Sequence, residues 1–443
     1  MNDKKLNMQS LLIARRAQPD TEAQSTGRPR SQVGRAARLL GGLMVAACLL
    51  PTHASAADPV KIGVLLPLTG PVADIGNNSR QGMVWAVEQI NASGGIKSLN
   101  GAKLELVFGD TQSTPQAGLS AMQKLLSVDR VPVVTGAYQS NVTLPTTRLA
   151  ERAKVPFLVF SAIADSITQQ GFKYTFRPNA AANHWATLQF DFLDWLNSKK
   201  TDKLGRKIQN IAFLYENTDY GQATAKNWVI DAKARGYNVV SDLSYPAGSS
   251  NMTSTINRLR SANPDAVLLV SYVSDAIAIA RTLKELSYKP PIQIATGGGH
   301  SDIAFLNSGF GVDGLFTVAN WNDDISKDFT KTFVQGYAKR WNAQPSSHSA
   351  QGMANVYLLK EVIEKAASAD PEAIRKALTS YRSTNVPPAI AGSDVVEFDE
   401  KTGQNLHSEI IMTQIVKGKY VTVFPLGAAS TEPVLPKLPK QQD

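Results

Sequence analysis

The chain has 443 residues, 43% hydrophobic and 19% charged, a balance that builds packed cores rather than a disordered polymer, and a length that allows two or more domains. Its formal net charge of +9 divides into +5 over residues 1–56 and +4 over the remainder. The body of the chain is therefore too mildly and too diffusely basic for a nucleic-acid-binding surface, and it carries no RNA-binding signature or interleaved basic-aromatic patch.

Residues 1–56 read as an N-terminal extension ending in an export signal. Arg35 and Arg38 precede the apolar run LLGGLMVAACLL, and Ala54-Ser55-Ala56 forms a small-x-small cleavage site. That run is too short to span a bilayer, and no other stretch approaches the ~20 apolar residues a membrane helix needs. Two processings are open. Cleavage near Ala56 or Ala57 leaves a chain without cysteine, which excludes disulfides, thiol catalysis and cysteine-based metal sites. Alternatively, Val45-Ala46-Ala47-Cys48 fits a lipobox and would tether the protein through Cys48.

From Val60 the chain alternates strand and helix. VKIGVLLPLTG is a continuous apolar strand ending in a Pro/Gly turn, as expected of a strand buried on both faces. SRQGMVWAVEQINASGG is a helix with Met83, Val87 and Ile90 on one face, stopped by Gly94-Gly95. KLELVFGD is the next strand. PQAGLSAMQKLLSVD is a helix opened by Pro115, with Leu119, Met122 and Leu126 on one face. VPVVTG and VPFLVFS are strands separated by a helix through Arg148. The β-α-β repetition predicts a parallel sheet with right-handed crossovers. After Pro178 the rhythm resumes: a helix near 183–196, NIAFLYEN, a helix from 222, YNVVSDLSY, a helix near 252–261, DAVLLV, a helix from 275, and PIQIAT. Residues 326–342 and 350–367 read as two helices. VVEFDEKTG and SEIIMTQIVKGKYVTVFP read as antiparallel strands, and the end after Pro425 as a loose tail. The fold class is α/β, with two doubly wound lobes whose strand-end turns face a cleft.

Catalytic chemistry is thinly represented. His53, His184, His300, His348 and His407 are scattered without metal-ligand spacing, so no metal is expected, and no cofactor. Gly297-Gly298-Gly299 follows a strand but precedes no Lys-Ser/Thr, so it is not a phosphate loop, and no GxGxxG or Gly-x-Ser-x-Gly occurs. Asp323-Asp324 reads as a helix cap. No nucleophile, base and orienter assemble, which sets aside an exported enzyme.

Binding chemistry is better represented. The turns after VPVVTG and VPFLVFS carry Gly136, Ser140 and Asn141, and Ser161 and Ala162. Such turns present backbone N–H groups at a helix start, where an anion sits well, although Ser140 and Asn141 can equally serve as helix caps. Tyr220 follows a strand of the second half, Ser271-Tyr272 the next, and Trp321 follows GLFTV. Each is either a cleft wall or a packing residue.

These segments, KIGVLLPLTGPVADIGNNSRQGMVWAVEQINASGGI, GDTQSTPQAGLSAMQKLL, TGAYQSNV, AERAKVPFLVFSA, ENTDYGQATAKNW and NPDAVLLVSY, resemble in order the periplasmic solute-binding proteins of the branched-chain amino-acid (leucine/isoleucine/valine) type, over roughly residues 58–425. The resemblance implies the type I periplasmic-binding-protein fold, three hinge crossings, no cofactor, closure on a solute and docking on an inner-membrane ABC permease. It implies a periplasmic protein, expected to be a monomer. It implies lobe 1 at 58–180 and 318–384, lobe 2 at 181–317 and 385–425, and a tail at 426–443. By motif, Ser140 corresponds to the hydroxyl that donates to a solute carboxylate. Ser161 and Ile163 correspond to backbone contacts, Ile163 keeping only its N–H where the family has Thr or Ser. Ile75 corresponds to an apolar wall, and Tyr220 with Ser271 or Tyr272 to second-lobe contacts.

One departure bears on the solute. Where amino-acid binders place an acid for the ammonium, this chain has Gly297-Gly298-Gly299-His300, with Asp302 the nearest acid, and glycines there would open space for a bulkier group. An unpaired ammonium in a closed cleft is costly. Two solute classes stay open: an aliphatic amino acid, and a small non-amino carboxylate, aromatic ones included. A ligand-sensing module for a membrane receptor or sensor kinase is the alternative role.

Overall fold

The computed structural model describes residues 57–325, 328–385 and 395–440, so the leader, its cleavage site and Cys48 lie outside the described residues. In chain order the first half runs β1 (Val60–Leu66), α1 (Ala73–Ala92), β2 (Leu104–Asp110), α2 (Pro115–Ser127), β3 (Val134–Gly136), α3 (Ser140–Ala153), β4 (Phe157–Val159) and β5 (Thr175–Phe176). The second half runs α4 (Ala182–Lys199), α5 (Thr201–Leu204), β6 (Asn210–Glu216), α6 (Asp219–Arg235), β7 (Asn238–Tyr245), α7 (Thr253–Ser261), β8 (Ala266–Val270), α8 (Val273–Glu285), β9 (Ile292–Ala295), α9 (Ile303–Phe305) and β10 (Phe316–Ala319). Then come α10 (Asp328–Trp341), α11 (Ser347–Ala366), α12 (Pro371–Thr379), β11 (Arg382–Ser383), β12 (Val396–Glu397), β13 (Ile411–Val416) and β14 (Lys419–Phe424).

The two halves make two sheets. The first has five strands in the order β2-β1-β3-β4-β5, all parallel. The second has seven, β14-β13-β10-β9-β8-β6-β7, parallel from β7 to β10 and closed by the antiparallel β13 and β14. In β1, Ile62, Val64 and Leu66 face α1 and α11, while Leu65 faces α2 across the sheet. Burial on both faces explains why this strand is apolar without alternation. α2 is opened by Thr114, whose hydroxyl accepts from Ala117 N, with Pro115 in the first turn. Its buried stripe is Gly118, Met122 and Leu125, a third of a turn from the expected Leu119 and Leu126, which sit at the margin.

The crossings fall at 177–181, just after Ala319 and after Phe398. β10 through Ala319 belongs to the second sheet, so lobe 2 extends slightly past the expected 317. Val396 and Phe398 pack with Phe176 in the first lobe's core, so these two residues belong to lobe 1 and not to the expected lobe 2. Three further expectations change. α12 was not read from the sequence, although Asp370 caps it by accepting from Glu372 N and Ala373 N at 3.0 Å each. Among the described residues Asp324 caps no helix: it accepts from Thr422 N at 2.7 Å, from Thr422 Oγ1 and Ser430 Oγ at 2.5 Å each, and so pins the second crossing to β14. Residues 426–440, the described part of the tail, are not loose. Val434 N donates to Gln414 Oε1 at 2.8 Å, Leu438 N donates to Leu204 O at 2.8 Å, and the Leu438 side chain is buried in the second lobe's core.

Candidate functional site

The strand ends of both sheets converge on one narrow cleft, with a cavity of about 20 Å³. From the first lobe come Tyr138 and Ser140 after β3, Ser161 and Ile163 after β4, and Ser347 and His348 at the start of α11. The second lobe contributes Tyr220 after β6, Tyr272 after β8, Gly298 and Ser301 after β9, and Trp185 from α4, with Asn320 from the crossing after β10.

Ser140 is the first residue of α3, and its N–H and that of Asn141 lie in the turn where no intrahelical carbonyl is available. The Ser140 hydroxyl does not cap the helix. It accepts from Ala164 N at 3.3 Å and so ties the β3 turn to the β4 turn. The second turn is fixed further by Arg177, which donates to the carbonyls of Ala162 and Ala164 at 3.2 and 2.8 Å. Ser161 Oγ donates to Gln351 Oε1 of α11 at 3.3 Å. The result is a rigid pair of turns aimed at the cleft.

The opposite wall is aromatic. Tyr220 Oη donates to Thr296 O, and its ring lies 5.4 Å from that of Tyr272. Tyr272 in turn meets Tyr138 edge-on at 5.8 Å, a contact between the lobes, and Tyr138 meets His348 at 5.4 Å. Burial pushes all three phenols well above their ordinary pKa, so they are neutral donors at physiological pH. Among the described residues, the hydroxyl of Tyr138 and the side-chain carbonyl of Asn320 are buried without a protein partner, polar groups suited to a bound solute. Two further contacts bridge the lobes: Asn227 Nδ2 donates to Asp165 Oδ2 at 2.6 Å, and His348 Nδ1 stands 3.4 Å from Asp302 Oδ2.

The triple glycine does not open space. A Cβ on Gly297 would lie 2.2 Å from the Trp185 ring, on Gly298 2.6 Å from Tyr220 Oη, and on Gly299 2.3 Å from the Tyr272 backbone. Gly297 and Gly298 also adopt positive φ of 37° and 53°. The run lets the chain pass tightly under the aromatic wall, which corrects the expectation of extra room.

A periplasmic binding protein family model matches residues 59–419. The chain belongs to the periplasmic binding protein family. A relative from Brucella melitensis, a Leu/Ile/Val-binding protein homolog 7, is 32% identical over 402 residues, covering 88% of this chain and 98% of that protein. The leucine-binding protein LivK of Thermotoga maritima superposes with a TM-score of 0.71 at 22% identity, over 82% of this chain and 98% of that one. A solute-binding protein of an ABC transporter from Rhodopseudomonas palustris, solved with 3,4-dihydroxybenzoic acid, does so with a TM-score of 0.71 at 21% identity, over 85% and 98%. As a periplasmic binding protein of bilobal α/β fold, the chain binds a solute and is not an enzyme. No helix among the described residues is long and apolar enough to cross a membrane.

Of the expected site residues, Ser140, Ser161, Ile163, Tyr220 and Tyr272 line the cleft of this binding protein. Ala162 and Ser271 stand one layer behind, the first through its carbonyl on Arg177, the second through its hydroxyl, 3.1 Å from His300 Nδ1. Ile75 is wholly buried in the apolar cluster that holds Tyr138 and Ile163. Trp321 packs on Phe333 in the first lobe's core at 6.0 Å, and its neighbour Asn320 lines the cleft instead. Asp302 stands behind the lining, with its Oδ2 3.4 Å from Nδ1 of the cleft residue His348. Its Oδ1 caps α9 by accepting from Ala304 N at 2.8 Å, and it does not line the cleft. Tyr138, Trp185, Ser301, Asn320, Ser347 and His348 were not singled out from the sequence.

Proposed function

We propose that this periplasmic binding protein captures a small carboxylate that carries no ammonium group, closes its lobes over it and delivers it to an ABC permease in the inner membrane. The observation that carries this reading is the composition of the cleft: among the described residues that line it there is no carboxylate. Buried acids stand behind the lining, among them Asp302, whose Oδ2 lies 3.4 Å from His348 Nδ1, and Glu216. Asp302 caps α9, and Glu216 accepts from Thr218 N and Gly221 N at 2.6 and 2.7 Å. A buried ammonium would lack a counter-charge. A carboxylate, by contrast, meets the Ser140 hydroxyl, the free N–H groups and positive end of α3, and neutral phenol donors.

The walls of Tyr138, Trp185, Tyr220 and Tyr272 suit an apolar or aromatic body. The Rhodopseudomonas neighbour holds such an acid, 3,4-dihydroxybenzoic acid, whereas the Brucella relative is named for leucine, isoleucine and valine. The cleft chemistry favours the former class. Closure follows because the solute contacts both lobes only when the Tyr138–Tyr272 and Asp165–Asn227 contacts form, so binding shifts the population toward the closed state. The basic flank, apolar run and Ala54-Ser55-Ala56 site of the leader support export and a periplasmic cycle.

The test is a thermal-shift panel on refolded, solute-stripped protein from residue 57 onward, with aliphatic and aromatic carboxylates, their amides and the branched-chain amino acids. A ligand at ~1,000 times its dissociation constant adds about 4 kcal/mol of stability. Shifts of several degrees with non-amino carboxylates are expected. Shifts confined to amino acids, or silence across the panel, would overturn the proposal.

A further inference from the structure

Arg177 is wholly buried, at 0% exposure, and among the described residues it makes no ion pair with a carboxylate. Its partners are neutral oxygens: Gln404 Oε1 at 2.6 Å, Thr168 Oγ1 at 3.1 Å, and the carbonyls of Ala162 and Ala164 at 3.2 and 2.8 Å. A buried cation without a counter-ion is expensive, so its retention calls for a compensating role. Desolvation pushes it down, to about 10, with the Asp165 charge acting the other way, so it remains charged near neutral pH. Asp165 itself accepts from Asn183 N at 3.1 Å and from Asn227 Nδ2 at 2.6 Å. The field of Arg177 is felt nearby: together with burial, it pushes His184 below its ordinary value.

The location of this charge is specific. Ala162 and Ala164 flank Ile163, and Ser161 and Ile163 line the cleft. In a trans peptide the C=O and N–H point in opposite directions. With the Ala162 carbonyl drawn back onto the guanidinium, the Ile163 N–H of the same peptide faces the other way, toward the cleft. A donor on that carbonyl also polarises the peptide and strengthens its N–H. Arg177 belongs to the hinge as well: its N–H donates to Gly403 O at 2.8 Å, and its carbonyl accepts from Asn405 N at 2.9 Å.

We propose that Arg177 is a specificity-determining positioning residue, whose buried guanidinium sets the Ala162–Ile163 peptide for anion binding and lends the cleft a positive charge that selects a carboxylate over its neutral amide. The assignment rests on the carboxylate reading of the cleft. One peptide layer separates the charge from the solute, and at that range an unscreened cation is worth roughly tenfold in the ratio of acid to amide affinity.

Calorimetry with two matched pairs, benzoate with benzamide and 4-methylpentanoate with its amide, reads that ratio directly. Wild type should prefer the acid of at least one pair, and Arg177→Gln should lower that preference about tenfold. Gln404→Leu removes a guanidinium partner but not the charge, so its ratio should stay at the wild-type value. If Arg177→Gln does not fold, Arg177→Lys carries the test. A buried lysine loses its proton readily, so its acid/amide ratio should fall between about pH 6 and about pH 9 while the wild-type ratio stays flat. A wild type without acid preference overturns the carboxylate reading and this assignment together. A preferring wild type with an unchanged ratio in Arg177→Gln, or a flat profile in Arg177→Lys, overturns the assignment alone.

Discussion

Replacing Ser140 with alanine separates two roles of one hydroxyl. Ser140 Oγ accepts from Ala164 N at 3.3 Å, and the side chain is 1% exposed. Removing it leaves a buried N–H without an acceptor, which costs about 1–3 kcal/mol, and the length of this bond puts the loss at the lower end, about 1 kcal/mol. Toward a carboxylate the same hydroxyl makes a charge-assisted bond of about 1.5–3 kcal/mol, or roughly 10- to 100-fold in affinity. Ser140→Ala should therefore melt slightly below wild type and bind the best carboxylate of the panel at least tenfold more weakly by calorimetry. A lowered melting temperature with unchanged affinity would show that the hydroxyl only braces the two turns, and would refute its place in the solute site.

Gly298→Ala places a methyl group 2.6 Å from Tyr220 Oη at a φ of 53°, and should lower stability by about 1–2 kcal/mol while loosening the aromatic wall, read by denaturant melts and solute affinity. Burial lowers His300 to about 3, so between its ordinary 6.5 and that value the unfolded chain binds the extra proton, and stability falls as the pH falls. The contribution reaches about 1.4 kcal/mol per pH unit, and His300→Gln should flatten the acid limb of the stability curve; an unchanged limb would contradict the buried neutral imidazole. Asp302→Asn keeps the cap on α9 but removes the charge 3.4 Å from His348 across the cleft. It should weaken solute affinity about fivefold through a less populated closed state, visible as a larger radius in scattering at sub-saturating solute.

Much of the architecture was legible because burial on both faces leaves strands such as VKIGVLL and AVLLV continuously apolar, and because Pro115 and Gly94-Gly95 mark helix ends. The strand-end turns were legible for the same reason: Ser140, Ser161, Tyr220 and Tyr272 each follow such a run. What remained hidden depends on distant partners. Asp324 looks like a helix cap until Thr422 and Ser430 are brought beside it. Gly297-Gly298-Gly299 looks like open space until Trp185, Tyr220 and Tyr272 are seen to fill it. The tail after Pro425 looks loose because its anchors, Gln414 and Leu204, lie far away in sequence. His348 sits in the polar run Ser346-Ser347-His348-Ser349 that opens an otherwise apolar helix, a signal that was present but local. Tyr138 lies inside the same GAYQS turn as Ser140, and its adjacency to a binding residue was the available clue.

The proposed cleft chemistry admits a carboxylate and has no place for an ammonium. Leucine and 4-methylpentanoate share an aliphatic body and a carboxylate and differ only in the ammonium group. Titrating both into the solute-stripped protein by calorimetry should show 4-methylpentanoate binding more tightly than leucine by at least tenfold, since nothing in the lining repays the desolvation of the cation. Tighter binding of leucine would mean that an acid such as Asp302 turns into the cleft, and would contradict the account.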